Sequence, residues 1–165
     1  MIFVTVGTHE QPFNRLIQKI DELICDKTIT DEVFMQIGYS TYEPKYAFWS
    51  RVISYEEMSK YENEAEIIIT HGGAATFMSA LAKGKTPIVV PRLEKFNEHV
   101  NDHQMDFAKK VKELGYNILI VEDINPLGDM INLSKYNQKA IASNTSYFTH
   151  AFKYIVNDLI EGKRQ

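Results

Sequence analysis

Cysteine is almost missing from this chain: Cys25 stands alone among 165 residues. A single thiol excludes an internal disulfide framework and suits a reducing compartment. Long apolar runs are missing too. No stretch approaches the roughly 20 apolar residues of a membrane-spanning helix. The opening MIFVTVGTHE has no basic leader, and its apolar run ends at Gly7, shorter than a signal peptide needs. Basic charge is not in excess: 18 Lys and Arg stand against 22 Asp and Glu, a net charge of −4. That balance offers no electrostatic footprint for nucleic acid or for direct binding to anionic lipid. Repeats, linkers and low-complexity segments are absent. The length fits one domain with a proper core and no staples. If the function lies at a membrane, another molecule must hold the chain there.

What is present is an alternation of apolar runs and helical patterns. The spacing predicts strands over Ile2–Val6, Val33–Gly38, Tyr46–Ile53, Glu66–Thr70, Thr86–Pro91 and Asn117–Val121. Between them, Phe13–Ile24 places Leu16, Ile17, Ile20, Leu23 and Ile24 on one helical face. Ser54 is placed to cap a helix over Tyr55–Ala65. Further helices are expected over Ala75–Lys83 and Asn101–Leu114, the latter closed by Gly115, then near Leu127–Leu133 and over Ser146–Ile160. Continuous apolar strands separated by helices imply a parallel sheet covered on both faces, a doubly wound, Rossmann-like α/β domain. Residues 1–122 form the expected core and residues 123–165 a helical tail, within a single domain. Ligands of such sheets bind beyond the carboxyl ends of strands.

Two strand ends carry glycine, in VTVGTHEQPF and IITHGGAAT, so both loops should share one rim. In THGGAAT, Gly72 and Gly73 permit a sharp turn and close approach of a ligand after His71. The helix that follows offers free N–H groups and a positive dipole end, while Ala74, Ala75 and Thr76 leave space. Such a junction suits a phosphate or diphosphate, and it also suits a plain strand-to-helix turn. It is neither a G-x-G-x-x-G fingerprint nor a P-loop. Farther on, Asp102, His103 and Gln104 open a helix on the same rim. They can hydrogen-bond sugar hydroxyls, or Asp102 can be an N-cap with the other two solvated. His99 and His103 are four apart, as zinc ligands on a helix are, but no third ligand accompanies them and no metal site is expected.

Together these motifs carry a resemblance. The run from Ala65-Glu66-Ile67 through THGGAATFMSALAKGKTPIVVPR to NDHQMDFAKKVKELG resembles the nucleotide-sugar-binding half of GT-B glycosyltransferases, in particular the family 28 C-terminal domain. The start FVTVGTHEQPFNRLI is similar to small stand-alone subunits of two-part transferases. One such group is the eukaryotic pair that adds the second N-acetylglucosamine to dolichol-linked oligosaccharide. Another is the bacterial pairs that build capsule or exopolysaccharide repeats, and EKFNEHVNDHQ looks more like this branch. The resemblance covers about residues 1–122.

It implies the C-terminal half of a GT-B fold, which holds the donor. A separate membrane-anchored subunit, resembling the N-terminal half, would contact a lipid-linked saccharide acceptor. That arrangement places the chain in the cytoplasm, recruited peripherally to the inner face of the plasma membrane. The implied chemistry is inverting transfer from a UDP-sugar without a metal or other cofactor. Gly72, Gly73 and Ala74 would face the diphosphate through backbone N–H groups, with Gly7 and Thr8 near the same phosphates. Gln104, with His103 beside it, would meet the transferred sugar. Ser54-Tyr55 matches a stretch that meets uracil, although Tyr55 could also be a core aromatic. Many relatives place a ribose-binding glutamate where this chain has Ser79, which lacks the charge-assisted strength of a carboxylate. A general base is also required. His9, oriented by Glu10, is the local candidate; alternatively His9 shapes its loop or meets the partner, and the partner supplies the base.

Two readings of function follow: a catalytic donor-binding subunit, or a non-catalytic module that binds a nucleotide sugar or stabilises its partner. A nicotinamide oxidoreductase is disfavoured because the first loop lacks its fingerprint. The expected tail stripe Phe148, Phe152, Ile155, Val156 and Leu159 suits core packing or a partner surface.

Overall fold

A computed structural model describes residues 1–137. Six parallel strands, β1 (Ile2–Thr5), β2 (Val33–Gln36), β3 (Phe48–Ser50), β4 (Ile67–His71), β5 (Ile88–Val90) and β6 (Leu119–Ile120), form one sheet in the order β3-β2-β1-β4-β5-β6. The helices are α1 (Asn14–Cys25), α2 (Tyr55–Glu64), α3 (Ala74–Ala82), α4 (His103–Glu113) and α5 (Leu127–Asn137), with a 3-10 turn at Glu94–Phe96. The doubly wound α/β expectation holds, and every strand pair is parallel. The chain runs outward from β1 to β3, then returns to β4 and runs the other way. The switch point therefore lies beyond Thr5 and His71, where a ligand crevice is expected.

Strand residues alternate between two cores. Ile2, Val4 and Val6 pack with Leu16, Ile17 and Ile20 of α1 and with Leu127 and Ile131 of α5. On the opposite face Phe3 and Ile68 meet Met58 and Tyr61 of α2. Phe77 of α3 joins Val89, Phe107 and Val111 beside them. Each fully buried Leu, Ile or Phe contributes roughly 1.5–3 kcal/mol relative to exposure, so residues far apart in the chain anchor both faces of the rim.

Five strands are shorter than the apolar runs, while β4 keeps its five residues shifted by one, Ile67–His71 against Glu66–Thr70. β3 was expected from Tyr46 but begins at Phe48. Buried Asp21 of α1 accepts the N–H groups of Lys45 and Tyr46 and the Tyr42 hydroxyl, diverting that backbone from the sheet. The same carboxylate bond, with burial, pushes the Tyr42 hydroxyl up to about 12. β5 begins after Pro87, which has no N–H to donate. At its edge, β6 keeps only Leu119 and Ile120. Two helix signals hold. Ser54 and Glu57 form a reciprocal capping box at α2, and Gly115 takes the left-handed conformation (φ +87°) after α4. α4 itself starts at His103 rather than Asn101, and α5 extends to Asn137. The expected helix Ser146–Ile160 lies outside the described residues.

Candidate functional site: the rim between β1 and β4

His71 is the last residue of β4, and its ring is buried. It fills the space between two glycines. A Cβ on Gly7 would stand 2.6 Å from the His71 ring, and one on Gly73 would overlap its Nε2. Gly72 faces Gln104, whose Cβ would be 2.7 Å from an added Cβ. The glycines thus serve first to admit His71 and Gln104 into close packing, a role the turn-or-cradle alternatives did not include. Gly7 also takes φ +70°, which a side chain rarely adopts. Burial above all, then the charge of Arg92, lowers the His71 pKa to about 4, so the ring is neutral at pH 7. Its Nδ1 lies 3.4 Å from the Thr5 carbonyl oxygen. A carbonyl only accepts, so Nδ1 carries the proton and Nε2 remains an acceptor.

Positive potential at the rim comes from α3. Gly73 occupies its N-cap position with no side-chain cap. Thr76 and Phe77 donate to the Gly73 carbonyl, while Ala74 and Ala75 N–H groups have no partner among the described residues. An uncapped N-terminus with free N–H groups attracts an anion. Beside it lies a cleft of about 260 Å³ lined by Gly7, Thr8, Gln36, His71 and Thr76, with Val52, Ile53 and Met58 as its apolar wall. A second cavity of about 280 Å³ shares Met58 and Thr76 with the first and continues past Tyr55, Ala75 and Ser79 to Glu62 and Lys83. Gly7, Thr8, His71 and Thr76 line the first cleft and Tyr55, Thr76 and Ser79 the second, while Gly72, Gly73 and Ala74 stand at the start of α3 and line neither. Tyr55 is 85% exposed, which removes the core-aromatic alternative. Ser79 is engaged: its Oγ donates to Glu62 Oε2 at 2.7 Å.

The start of α4 departs from the reading in which Asp102 caps the helix and its two neighbours are solvated. Asp102 stands at the N-cap position but caps nothing; its Oδ1 accepts the Glu94 N–H at 2.8 Å. Gln104 is buried, and its Oε1 accepts the Arg92 N–H, leaving the amide nitrogen as its only group for a ligand. Exposed His103 is bonded to Asn101. It meets His99 edge-on, ring centroids 4.5 Å apart, and His99 stacks on His9, also at 4.5 Å. Burial and the repulsion of His103 and His9 lower the His99 pKa. No group of three His, Cys, Asp or Glu suited to a metal ion occurs among the described residues. His9 is oriented by Gln11 rather than Glu10. Its Nε2 lies 2.8 Å from Gln11 Oε1, and the Gln11 amide nitrogen donates to the Asn97 carbonyl. That bond fixes the amide, so His9 donates from Nε2 and Nδ1 is the nitrogen left to take a proton.

Sequence reasoning missed the residues that hold the rim in place. Gln36, at the end of β2, accepts from Gly7 N–H and Thr5 and donates to the Gly7 and Arg51 carbonyls. Arg92, fully buried, donates to the carbonyls of Val6, Gln11 and Glu98. Burial lowers its pKa to about 10 against the attraction of Glu98, which leaves it charged at pH 7. Glu98 in turn accepts a bidentate bond from Arg15. The signal available in sequence was a charged or amide side chain directly at the end of an apolar strand, in VFMQ and VVPR.

The fold and the groove define a class, one Rossmann-like half of a GT-B glycosyltransferase. The structure is similar to the glycotransferase of kitacinnamycin (TM-score 0.59, 15% identity, 96% of this chain and 42% of that one). It is also similar to MurG of Acinetobacter baumannii (TM-score 0.52, 18% identity, 93% and 49%). At these identities the likeness is one of fold. The family model of the glycosyltransferase family 28 C-terminal domain matches residues 1–159, and the chain belongs to that family. Among curated relatives, the UDP-N-acetylglucosamine transferase subunit ALG13 is 31% identical in Mus musculus and 33% in Homo sapiens, over 69% and 70% of this chain. The chain spans about a tenth of the length of those relatives.

Proposed function

We propose that this chain is the donor-binding, catalytic subunit of an inverting, metal-independent glycosyltransferase. It moves a sugar from a UDP-sugar to a lipid-linked saccharide acceptor in capsular or exopolysaccharide assembly. The observation that carries this reading is the uncapped start of α3, with free Ala74 and Ala75 N–H groups opening onto a groove that runs on to Tyr55. The diphosphate sits at that helix end and the nucleoside lies toward Tyr55. The sugar lies toward His71 Nε2, the Gln104 amide and His103. An acceptor hydroxyl attacks the anomeric carbon and its proton passes to His9 Nδ1. The bond from that carbon to the diphosphate oxygen breaks, and UDP departs with the electron pair. Helix α3 stabilises the charge that grows on the diphosphate. The family membership and the transferase-subunit relatives support the glycosyltransferase and subunit parts of this reading.

No helix among the described residues is long and apolar enough to cross a membrane. The proposal includes a membrane-anchored partner resembling the N-terminal half of a GT-B enzyme, which brings acceptor and chain together at the cytoplasmic face; the likeness to transferase subunits supports a partner. The test is calorimetric titration with UDP and a panel of UDP-sugars, on wild type and Thr76→Asp. Acidic residues favour a helix N-terminus, so this variant should fold while its charge repels the diphosphate. UDP affinity is expected to fall tenfold or more in Thr76→Asp; unchanged affinity removes the diphosphate cradle. Donor binding without sugar transfer by the co-expressed pair would assign the chain to the regulatory class instead.

A further inference from the structure

The loop between β5 and α4 touches His9 in two ways that the proposed function leaves unused. The Asn97 carbonyl oxygen accepts from the Gln11 amide, whose Oε1 lies 2.8 Å from His9 Nε2. His99 lays its ring on that of His9, centroids 4.5 Å apart and planes 16° from parallel. The segment that offers both contacts is itself pinned at Glu98. That buried carboxylate takes a bidentate bond from Arg15 at 2.8 Å and the Leu93 N–H at 3.1 Å. Its carbonyl oxygen accepts from Arg92. His103, in the first turn of α4, meets His99 edge-on, 74° from parallel. His99 Nδ1 is buried with no hydrogen-bond partner among the described residues. What this side chain offers His9 is therefore the face of its ring.

We infer that His99 is a positioning residue for His9, holding its ring for proton transfer at Nδ1 and supporting the imidazolium that forms. The inference rests on the reading of His9 as the group that takes the acceptor proton. Gln11 fixes which nitrogen is free, but one hydrogen bond leaves the ring able to turn about it. A near-parallel ring at 4.5 Å removes that turn, because aromatic faces attract in a preferred geometry. Proton uptake then makes His9 a cation over the face of its neighbour, which is attractive while that neighbour is neutral. Burial, then repulsion from His103, His9 and Arg92, lowers the His99 pKa, and the ring is neutral at pH 7. Phenylalanine at this position would supply the same face, since nothing bonds to Nδ1.

The test is magnetic resonance of the isotope-labelled full-length chain, in wild type, His99→Ala and His99→Phe. Long-range correlations within the rings resolve its five histidines. Wild-type His9 is expected as one tautomer, protonated on Nε2, with cross-relaxation between its ring protons and those of His99. His99→Ala should mix the two tautomers, and His99→Phe should restore the single one. Absence of that cross-relaxation in wild type overturns the inference without any variant, so a folding defect leaves it testable. A single tautomer in folded His99→Ala also overturns it, as does a mixture in folded His99→Phe. In the chain co-expressed with its membrane subunit, His99→Ala should lower kcat roughly threefold to tenfold, with KM for the UDP-sugar unchanged within about twofold. His99→Phe should recover the loss, and His9→Ala should cost about a hundredfold or more in kcat. Full kcat in His9→Ala removes the reading of His9 as the base and this inference with it. An impaired His9→Ala beside an unimpaired His99→Ala overturns this inference alone.

Discussion

The two flanks of the α3 N-terminus are built in opposite ways. On the β1 side, Gln36, Arg92, Glu98 and Arg15 cross-link the loops after β1, β2 and β5 through buried and part-buried hydrogen bonds that take up most of their polar atoms. On the α2 side, a single carboxylate gathers Ser79 and Lys83 onto one oxygen, and the Ala74 and Ala75 N–H groups have no partner among the described residues. The first flank is a framework, because satisfied polar groups hold backbone in place and have little left for a ligand. The second has donors to spare. A site that must grip a flexible dinucleotide-sized ligand benefits from this division, with rigid walls on one side and open donors on the other.

The contrast is most exposed to Arg92→Met. Removing a fully buried cation leaves the carbonyls of Val6, Gln11 and Glu98 without their donor, and urea unfolding should show a loss of about 3–5 kcal/mol. A loss below about 1 kcal/mol would mean the cross-linked flank is not a framework. The next effect is pH-dependent. His71 titrates near its ordinary 6.5 when unfolded but at about 4 when folded. Protons therefore bind the unfolded chain preferentially between those values, and stability is full above pH 6.5 and falls as pH drops toward 4. The contribution is on the order of 3 kcal/mol, read as the difference in pH dependence between wild type and His71→Gln. An equal pH dependence in both would place the ring outside the packed flank.

Gly72→Ala should lose about 1–3 kcal/mol, since its Cβ would press on Gln104 at 2.7 Å; thermal unfolding measures it. On the other flank effects should be smaller. Ser54→Ala removes half of the α2 capping box at about 1 kcal/mol. Tyr55→Ala, at an exposed ring, should change stability by less than about 0.5 kcal/mol while weakening UDP in calorimetry. A larger stability loss for Tyr55→Ala than for Gly72→Ala would invert the comparison.

Legibility in sequence followed the range of the interactions. The order of elements, the Ser54 cap and the Gly115 stop depend on neighbours within a few residues and were readable, and the parallel sheet followed from the alternation of apolar runs with helices. Strand lengths were less so, because an apolar run reports burial and not hydrogen bonding. Only the fold shows Asp21 taking the N–H groups of Lys45 and Tyr46, from 24 residues away and more. The HGG junction was readable as a junction. That its glycines make room for His71 and Gln104 was not, since Gln104 is 32 positions from Gly72.

By itself, then, the sequence determined a doubly wound domain and the rim on which its glycine loops would meet, through hydrophobic periodicity and local turn chemistry. Tertiary structure alone decided which polar groups are consumed and which stay open. Arg92 reaches Val6 across 86 positions, and Glu62 reaches Ser79 across 17. Such pairings depend on how α2, α3 and the rim loops pack on the sheet, which no local pattern encodes.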